Sequence, residues 1–252
     1  MINTYNESNL HLTLKRLYAL EHNGRTEQAV GNWLCDIVTE NGAVIEIQTA
    51  SVSKLARKVV SLLAQGRAVT VVYPLATERT IETYDEDGAL LSRRKSPNRA
   101  TVYSLFRELT GMHTLLLRDG FTLEVLLVTL TEQRRRTAAP AQLANKSRRF
   151  LKNWLPQEKH LGSIIERRRF TTAADYLSLI PMTLAEPFTA LELQTALWEL
   201  PELQTLSKRN RERAAGQARL MLWLYTHMRL LEEAGKKGRS RLYRSITPIC
   251  RS

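Results

Sequence analysis

The sequence has few of the residues that mark secreted, membrane-spanning or zinc-binding proteins. Only two of its 252 residues are cysteine, Cys35 and Cys250, so a disulfide framework is not expected. No CxxC pair or His-Cys cluster occurs, which argues against structural zinc. No run of about 18 apolar residues and no basic-then-apolar leader is found, so we expect neither a membrane span nor a signal peptide, and we expect a cytoplasmic protein.

Several common catalytic motifs are also missing. The sequence contains no Walker A phosphate loop and no GxGxxG, HExxH or GxSxG motif, which argues against the enzyme classes that depend on them. What is present is a hydrophobic content of 43%, enough to build the core of one large domain or of two ordinary domains.

Charge is distributed unevenly along the chain. Residues 1–130 contain 14 Lys and Arg and 14 Asp and Glu, whereas residues 131–252 contain 23 and 11, which accounts for the whole net charge of +12. A basic segment attracts polyanions because each phosphate that it neutralises releases counterions. A merely solubilising surface is the alternative, but the cations are clustered in short runs, which favours a polyanion partner.

Two carboxylates ten positions apart give the strongest chemical signal. Trp33–Thr39 and Ala43–Thr49 are β-branched apolar runs separated by a turn containing Asn-Gly, so the sequence predicts a hairpin. Asp36 and Glu46 then lie on adjacent strands, and Gln48 shares a face with Glu46. Carboxylates that converge at a strand bend can bind Mg²⁺ or Mn²⁺ for a phosphate substrate. A polar surface hairpin is the alternative.

The neighbouring segments extend this hairpin into an α/β pattern. A first amphipathic helix is predicted to begin near Ser8, and a second helix is predicted over residues 51–65. His11, one turn after Glu7, either lines the site or, as is more common for a lone histidine on such a helix, has a structural role. Residues 68–75 form an apolar run typical of a strand buried on both faces. The predicted order is αββαβ, with a right-handed crossover through the second helix.

In these elements the chain resembles the PD-(D/E)XK (restriction-endonuclease-like) nuclease superfamily, whose αβββαβ core carries a metal site on its second and third strands. The matching residues are Glu7, Asp36 and the triplet Glu46-Ile47-Gln48. The resemblance implies that Glu7, Asp36 and Glu46 are acidic site residues, with Asp36 and Glu46 as metal ligands. Gln48 stands where the superfamily usually has a catalytic Lys. Glu27 also precedes the first strand and is the alternative to Glu7.

The second half of the chain is predicted to be mostly helical. Thr189 and Glu192 form a capping box, and a longer helix is predicted over residues 216–234 with Gly235 as its C-cap. Helices followed by a basic hairpin resemble the winged helix-turn-helix family over residues 170–247, which implies duplex DNA binding. The candidate contacts are Arg211, Arg213, Gln217 and Arg219 on the helices and Lys236, Lys237, Arg239 and Arg241 on the wing.

These signals predict an α/β nuclease-like core and a mostly helical, winged-helix-like DNA-binding domain. Residues 1–131 are assigned to the first, residues 132–150 to a basic linker and residues 151–252 to the second. Further DNA contacts are predicted at Arg93, Arg94 and Lys95 on a hairpin or loop, and Trp154 is the tryptophan chosen for base stacking.

The predicted function is metal-dependent hydrolysis of double-stranded DNA with Mg²⁺ or Mn²⁺, of the restriction or defence type. The alternative is a non-catalytic DNA-binding regulator whose nuclease-like fold serves recognition or dimerisation, so a homodimer is also considered. RNA binding is less favoured, because no aromatic-rich sheet signature occurs.

Overall fold

One large sheet and one small sheet organise the chain. The computed structural model describes residues 8–141 and 151–246. The helices are α1 (Asn9–Glu21), α2 (Ala56–Ala64), α3 (Phe106–Leu109), α4 (Ala173–Leu177), α5 (Ala190–Trp198), α6 (Pro201–Gln204), α7 (Lys208–Ala215) and α8 (Ala218–His227). The strands are β1 (Arg25–Val30), β2 (Trp33–Val38), β3 (Val44–Ile47), β4 (Val69–Tyr84), β5 (Leu90–Lys95), β6 (Phe121–Ala141), β7 (Lys152–Phe170), β8 (Phe188–Thr189), β9 (Leu231–Lys237) and β10 (Ser240–Ser245). None of the helices within the described ranges has the length and apolar composition to cross a bilayer.

The large sheet has the strand order β1-β2-β3-β4-β6-β7, and β5 pairs with the outer part of β4. β3, β4 and β6 are parallel to one another, and the remaining pairs are antiparallel. α1 packs Leu10, Leu14 and Tyr18 on one face of this sheet, whereas α2 packs Val59 and Leu62 on the other. Helices therefore cover both faces, which explains why β3 is buried at every position.

The mixed α/β class and the predicted hairpin are confirmed. The strands end within two residues of the predicted bounds, and the turn between them contains Gly42 at φ +79°, a conformation that a glycine adopts without steric cost. The hairpin predicted around residue 88 is present as β4 and β5. One strand was missed: β1 precedes the hairpin, so the observed order from α1 to β4 is αβββαβ.

The predicted linker is wrong where the structure describes it. Residues 132–141 continue β6, and β7 returns alongside it over 19 residues, so both belong to the large sheet. Residues 142–150 lie outside the described ranges. The start of the predicted helical domain is corrected as well, because residues 152–170 form a strand that pairs with β6. Pairing overrides the polar, proline-containing composition that indicated a linker.

The C-terminal unit consists of α4 to α8 and a small sheet with the order β8-β10-β9. The Thr189–Glu192 capping box is confirmed: the Thr189 hydroxyl accepts from the Glu192 N–H at 3.2 Å, and the Glu192 carboxylate accepts from the Thr189 N–H at 2.7 Å. The long predicted helix is too long, since α8 ends at His227 with Met228 as its C-cap. Gly235 is not a cap but a residue of β9 at φ +116°.

A single apolar cluster joins the C-terminal unit to the large sheet. Phe106 of α3 contacts Tyr225 of α8 edge to face at 5.5 Å, and Phe170 at the end of β7 lies 5.3 Å from Tyr176 of α4, as measured between ring centroids. The Tyr103 hydroxyl donates to the Leu179 carbonyl at 3.4 Å. All these side chains belong to the cluster that also contains the interior of the α2 face of the sheet. The two predicted domains therefore share one core.

Glu192 gives the C-terminal unit a dependence on pH. Its hydrogen bonds from the Lys237 ammonium, the Thr189 N–H and the Thr189 hydroxyl lower its pKa to about 2. A lowered pKa contributes stability above the ordinary value of about 4.5, and this contribution is lost as pH falls towards 2. Replacing Glu192 with Gln should lower the melting temperature at pH 7, and the difference from wild type should close on acidification. Glu199→Gln, an exposed carboxylate at the end of the same helix, is the control, and a Glu192→Gln difference that persists at pH 2 would contradict this assignment.

Candidate active site

The site begins where β2 and β3 separate. Their backbone pairing runs through Val38 with Val44 and Ile37 with Ile45. At the next position the side chains of Asp36 and Glu46 replace the ladder: the Asp36 N–H donates to Glu46 Oε1 at 3.2 Å, and the Ile47 N–H donates to Asp36 Oδ2 at 2.8 Å. Each carboxylate is thus held by the backbone of the other strand, so the two acids predicted from the hairpin lie side by side at the strand ends.

Lys58 of α2 completes the group around Glu46. Its Nζ lies 2.6 Å from Glu46 Oε2 and also donates to the Leu34 carbonyl at 2.6 Å. The side chains of Lys58 and Glu46 are only 11% and 3% exposed. This is a buried ion pair with its hydrogen bonds made, so removing one partner would leave an uncompensated charge in the other.

α1 supplies further charged groups on the other side of Asp36. His11 Nε2 lies 3.3 Å from Asp36 Oδ2, and Lys15 Nζ lies 3.0 Å from Glu27 Oε1. Glu27 stands opposite Asp36 in the β1–β2 register, at the one gap in that ladder, and has φ +54°. A left-handed glutamate in a strand costs conformational energy, and such strain concentrates at functional sites.

The two carboxylates differ in acidity. Burial and the negative charge of Asp36 raise the pKa of Glu46 to about 7, against the opposing effect of Lys58. Burial would also raise the pKa of Asp36, but the hydrogen bond and charge of His11, together with the Ile47 N–H and Lys58, bring it below its ordinary value. Asp36 is therefore ionised at neutral pH, while Glu46 titrates near neutrality.

The other predicted site residues have different positions. The Gln48 side chain donates from Nε2 to the Ser51 carbonyl at 3.0 Å, so its amide group is bound to the loop that precedes α2. Glu7 lies outside the described residues. Within residues 8–141 and 151–246, no three His, Cys, Asp or Glu side chains form a group that could hold a metal ion. Asp36 and Glu46 remain the pair whose oxygen atoms suit Mg²⁺.

Lys58 is the residue that the sequence prediction missed. It lies three residues after Leu55 and four before Leu62, on the stripe of α2 that faces the sheet, beside the buried Val59. A lysine on an apolar helical stripe directly after the Glu46 strand is a signal that could have identified it.

The predicted DNA contacts on the C-terminal helices are largely engaged within the protein. Arg211 stacks over Trp198 with 4.7 Å between its guanidinium carbon and the ring centroid, and Arg213 donates to Asn98 Oδ1 at 3.0 Å. Gln217 donates to the Arg213 carbonyl at 3.2 Å. Arg219 is exposed on α8. α7 therefore contacts the loop after β5, and Arg219 is the member of the set that makes no side-chain hydrogen bond or ring contact within the described residues.

The predicted wing is the β9–β10 hairpin, and glutamates neutralise part of its charge. Lys237 pairs with Glu192 at 2.8 Å, and Arg241 pairs with Glu233. Lys236 and Arg239 are exposed near the turn. The fully open cations of the wing are thus fewer than the sequence indicated. Of the earlier basic run, Arg93 lies 3.4 Å from Glu82, while Arg94 and Lys95 are exposed on β5.

Comparison with known proteins gives two matches. A model described as "Domain of unknown function (DUF8091)" matches residues 8–171, which span α1 to the end of β7 and include Asp36, Glu46 and Lys58. An "Uncharacterized protein" of Treponema pallidum (strain Nichols) is 32% identical over 127 residues, 50% of this chain and 50% of that protein. The chain thus spans about half the length of this curated relative. No solved structure matches the chain.

Proposed function

Given that the chain belongs to the DUF8091 family of domains of unknown function, we propose that it is a cytoplasmic, metal-dependent nuclease that hydrolyses phosphodiester bonds of double-stranded DNA. The observation that carries the proposal is the convergence of Asp36, Glu46 and Lys58 where β2 and β3 separate. Two acids and an ammonium group, positioned by backbone hydrogen bonds at strand ends, can bind a metal ion and a phosphate together.

The order of elements supports the proposal. α1, β1 to β3, α2 and β4 follow the αβββαβ order of the PD-(D/E)XK superfamily, and the acids lie on the second and third of these strands. The superfamily usually has Lys where this chain has Gln48. Here the Lys58 ammonium reaches Glu46 from α2, so we assign to Lys58 the role that the sequence gave to Gln48.

The carboxylate pair fits a magnesium ion by its chemistry. Mg²⁺ is commonly bound by one or two carboxylates and keeps several waters, so Asp36 and Glu46 would suffice as protein ligands. When bound, the ion would neutralise charge on the phosphate and activate a water. Lys58 would donate to a phosphate oxygen or hold the attacking water, and His11 keeps Asp36 ionised.

The C-terminal unit supports a DNA substrate. Its order is α4, β8, α5, α6, α7, α8, β9 and β10, with β8 paired to β10, and apart from the four-residue α6 this order is similar to that of a winged helix, a fold that binds duplex DNA. Among the predicted contacts, Arg219, Lys236 and Arg239 are exposed and form no ion pair within the described part of the chain, whereas the exposed Lys237 and Arg241 are paired with glutamates.

The direct test is cleavage by the purified full-length chain. Linear and supercoiled duplex DNA of varied sequence should be cut in the presence of Mg²⁺ or Mn²⁺ and should remain intact in excess EDTA. DNA that stays intact with both metals, under conditions where the protein binds it, would contradict the proposal.

Lys58→Ala gives a second prediction for the same site. If the ammonium group acts on the phosphate or on the attacking water, cleavage should fall roughly 10²–10³-fold, the range for loss of one positioned donor. Lys54→Ala removes an exposed lysine one turn earlier and should leave the rate unchanged. A Lys58→Ala protein that folds, binds DNA and cuts at the wild-type rate would exclude the role.

One observation favours a non-catalytic regulator as the second candidate. Lys58 already forms an ion pair with Glu46, and His11 Nε2 lies 3.3 Å from Asp36 Oδ2, so protein atoms already contact both carboxylates. In that case the contacts of Lys58 with Glu46 and of His11 with Asp36 would only hold β2 and β3 in place between α2 and α1. Duplex binding without cleavage, unaffected by metal ions, is the result that this candidate predicts.

A further inference from the structure

The outer part of the large sheet forms a surface that the sequence did not predict. Beyond the segment covered by α1, four strands continue side by side as residues 78–84 of β4, β5, residues 129–136 of β6 and residues 154–161 of β7. The bulges between β6 and β7 in this region lie on β7, so β6 keeps a regular alternation of faces from Leu130 to Arg136. Leu130 belongs to the cluster under α1, so Glu132, Arg134 and Arg136 point to that same side.

Basic side chains collect on this side. Arg79 of β4 lies opposite Leu130 of β6, and Lys159 of β7 lies opposite Glu132 of β6. On the other side of β4, Arg94 of β5 lies opposite Ile81. Because directly opposed residues of neighbouring strands project to the same face, these side chains share one surface. We call it the arginine face; it consists of Arg79, Arg94, Arg134, Arg136 and Lys159 with Trp154.

One buried carboxylate organises the arginine face. Glu132 is 6% exposed and binds Arg79 at 3.0 Å and Arg134 at 2.7 Å. Burial alone would raise its pKa, but these two guanidinium groups and Lys159 bring it below the ordinary value, so it remains ionised. The arginine face therefore carries five cations and one anion. Glu132 fixes two arginines in place and leaves a net positive surface.

The outer cations of the face are open. Arg94, Arg136 and Lys159 are exposed, and none of the three forms an ion pair within the described ranges. Arg134 stacks on Trp154 with 3.7 Å between its guanidinium carbon and the ring centroid, which stiffens the centre of the surface. A positive surface of this kind suits a polyanion with regularly spaced charges.

The opposite face of the same strands has a different composition. Arg93 pairs with Glu82, which also accepts from the Tyr84 hydroxyl at 2.8 Å, and Glu78 is paired with Thr129 on this side. Lys95 and Arg135 are its other cations. Three cations are accompanied by two carboxylates there, so the positive excess is larger on the α1 side, where five cations accompany one carboxylate.

We propose that the arginine face binds the sugar–phosphate backbone of duplex DNA and is the main DNA contact of this chain. This proposal rests on the proposed nuclease function and names the surface that holds its substrate. Arginines contact phosphates directly and bind without regard to sequence. A duplex suits the face better than a single strand, because single-strand sites rely on rows of open aromatic rings, whereas here the one aromatic ring, Trp154, is covered by Arg134.

The test uses matched triple variants of the full-length chain. Arg94→Ala, Arg136→Ala and Lys159→Ala together remove three cations of the arginine face, whereas Arg93→Ala, Lys95→Ala and Arg135→Ala remove three from the same region of the sheet on the opposite face. Binding to a duplex of about one footprint's length is measured by fluorescence anisotropy in EDTA over a series of salt concentrations. Working in EDTA separates binding from cleavage.

The first triple variant should bind more weakly, with a slope of log affinity against log salt smaller by about 2.7, because each phosphate contact contributes about 0.9. The second triple variant should keep the wild-type slope, because of the three β5 residues that the sequence predicted as DNA contacts the proposal retains Arg94 and drops Arg93 and Lys95, which lie on the opposite face. Arg136→Glu and Arg135→Glu, adjacent in sequence and on opposite faces, repeat the comparison with single changes. Circular dichroism and melting temperatures verify that all variants are folded.

Equal losses in both triple variants, or a loss in the second alone, would overturn the proposal. A single strand that binds as tightly as the duplex and is equally sensitive to the first triple variant would also overturn it. Failure of the nuclease proposal has a different signature: duplex binding through the arginine face with no cleavage in Mg²⁺ or Mn²⁺.

Discussion

Replacing Asp36 with Asn, or Glu46 with Gln, should reduce metal-dependent cleavage of duplex DNA by roughly 10³-fold or more while leaving DNA binding intact. Both substitutions keep the shape of the side chain but remove a negative oxygen, and a group that acts on developing charge in a buried site is worth roughly 10²–10³ in rate even when it is a single neutral donor. Initial cleavage rates in Mg²⁺ and Mn²⁺ provide the measurement. Glu40→Gln changes an exposed carboxylate in the turn of the same hairpin and should have no effect.

The purity of the protein samples determines how the cleavage rates of wild type and variants are interpreted. The activity of a contaminating nuclease would be the same in the wild-type and variant preparations. The residual cleavage by the Asp36→Asn and Glu46→Gln proteins must therefore be compared with that of the Lys58→Ala protein purified in the same way. Full activity in folded Asp36→Asn and Glu46→Gln proteins would mean that these carboxylates take no part in the chemistry, and it would contradict the proposed active site.

Replacing Phe106 with Ala should destabilise the whole chain by about 3–5 kcal/mol, the cost of truncating a buried phenylalanine. Phe106 is 1% exposed and contacts Tyr225 within the core that both halves share. The large sheet and the C-terminal helices should therefore melt in one transition at a lower denaturant concentration, as measured by tryptophan fluorescence and far-ultraviolet circular dichroism together. Leu191→Ala, at a side chain that is 69% exposed, should change stability by less than about 0.5 kcal/mol.

The result that would contradict this prediction is a split transition. If the Phe106→Ala protein lost the helices of the C-terminal unit first and retained the large sheet to the wild-type midpoint, the two units would be separate in energy despite their shared contacts. The division at residues 132–150 predicted from charge and composition would then describe the folding of the chain, although it does not describe the sheet.

The sequence predicted the parts of the fold in which local signals agree. The β2–β3 hairpin combines β-branched runs with a turn that requires glycine, and α2 has a clear apolar stripe. β1 was missed because Arg25–Val30 is an edge strand with one buried residue, Val30, and so lacks the usual alternation. β7 was missed for a related reason, since most of its residues are polar and exposed and only its long pairing with β6 makes it a strand.

The candidate site was also predictable where local signals determine it. Asp36 and Glu46 are related by a short hairpin, whose register fixes which residues oppose each other. Lys58 approaches from a helix, and Glu132 gathers Arg79 and Arg134 from two strands about 50 residues apart in sequence, so neither arrangement follows from spacing. The ion pair between Lys237 of the wing and Glu192 could not be predicted from the sequence either, because folding of the small sheet brings these two residues together.

The shared core also limits how the chain can be shortened. A fragment that ended at residue 171, where the family match ends, would uncover the apolar side chains of Phe106 and Phe170, which the C-terminal helices now cover. Such a fragment would expose a hydrophobic surface to neighbouring molecules and to proteases, and it would be prone to aggregate. The last third of the chain thus covers the interior of the first two thirds, and a fragment cut at the family boundary would need another cover over these side chains to remain in solution.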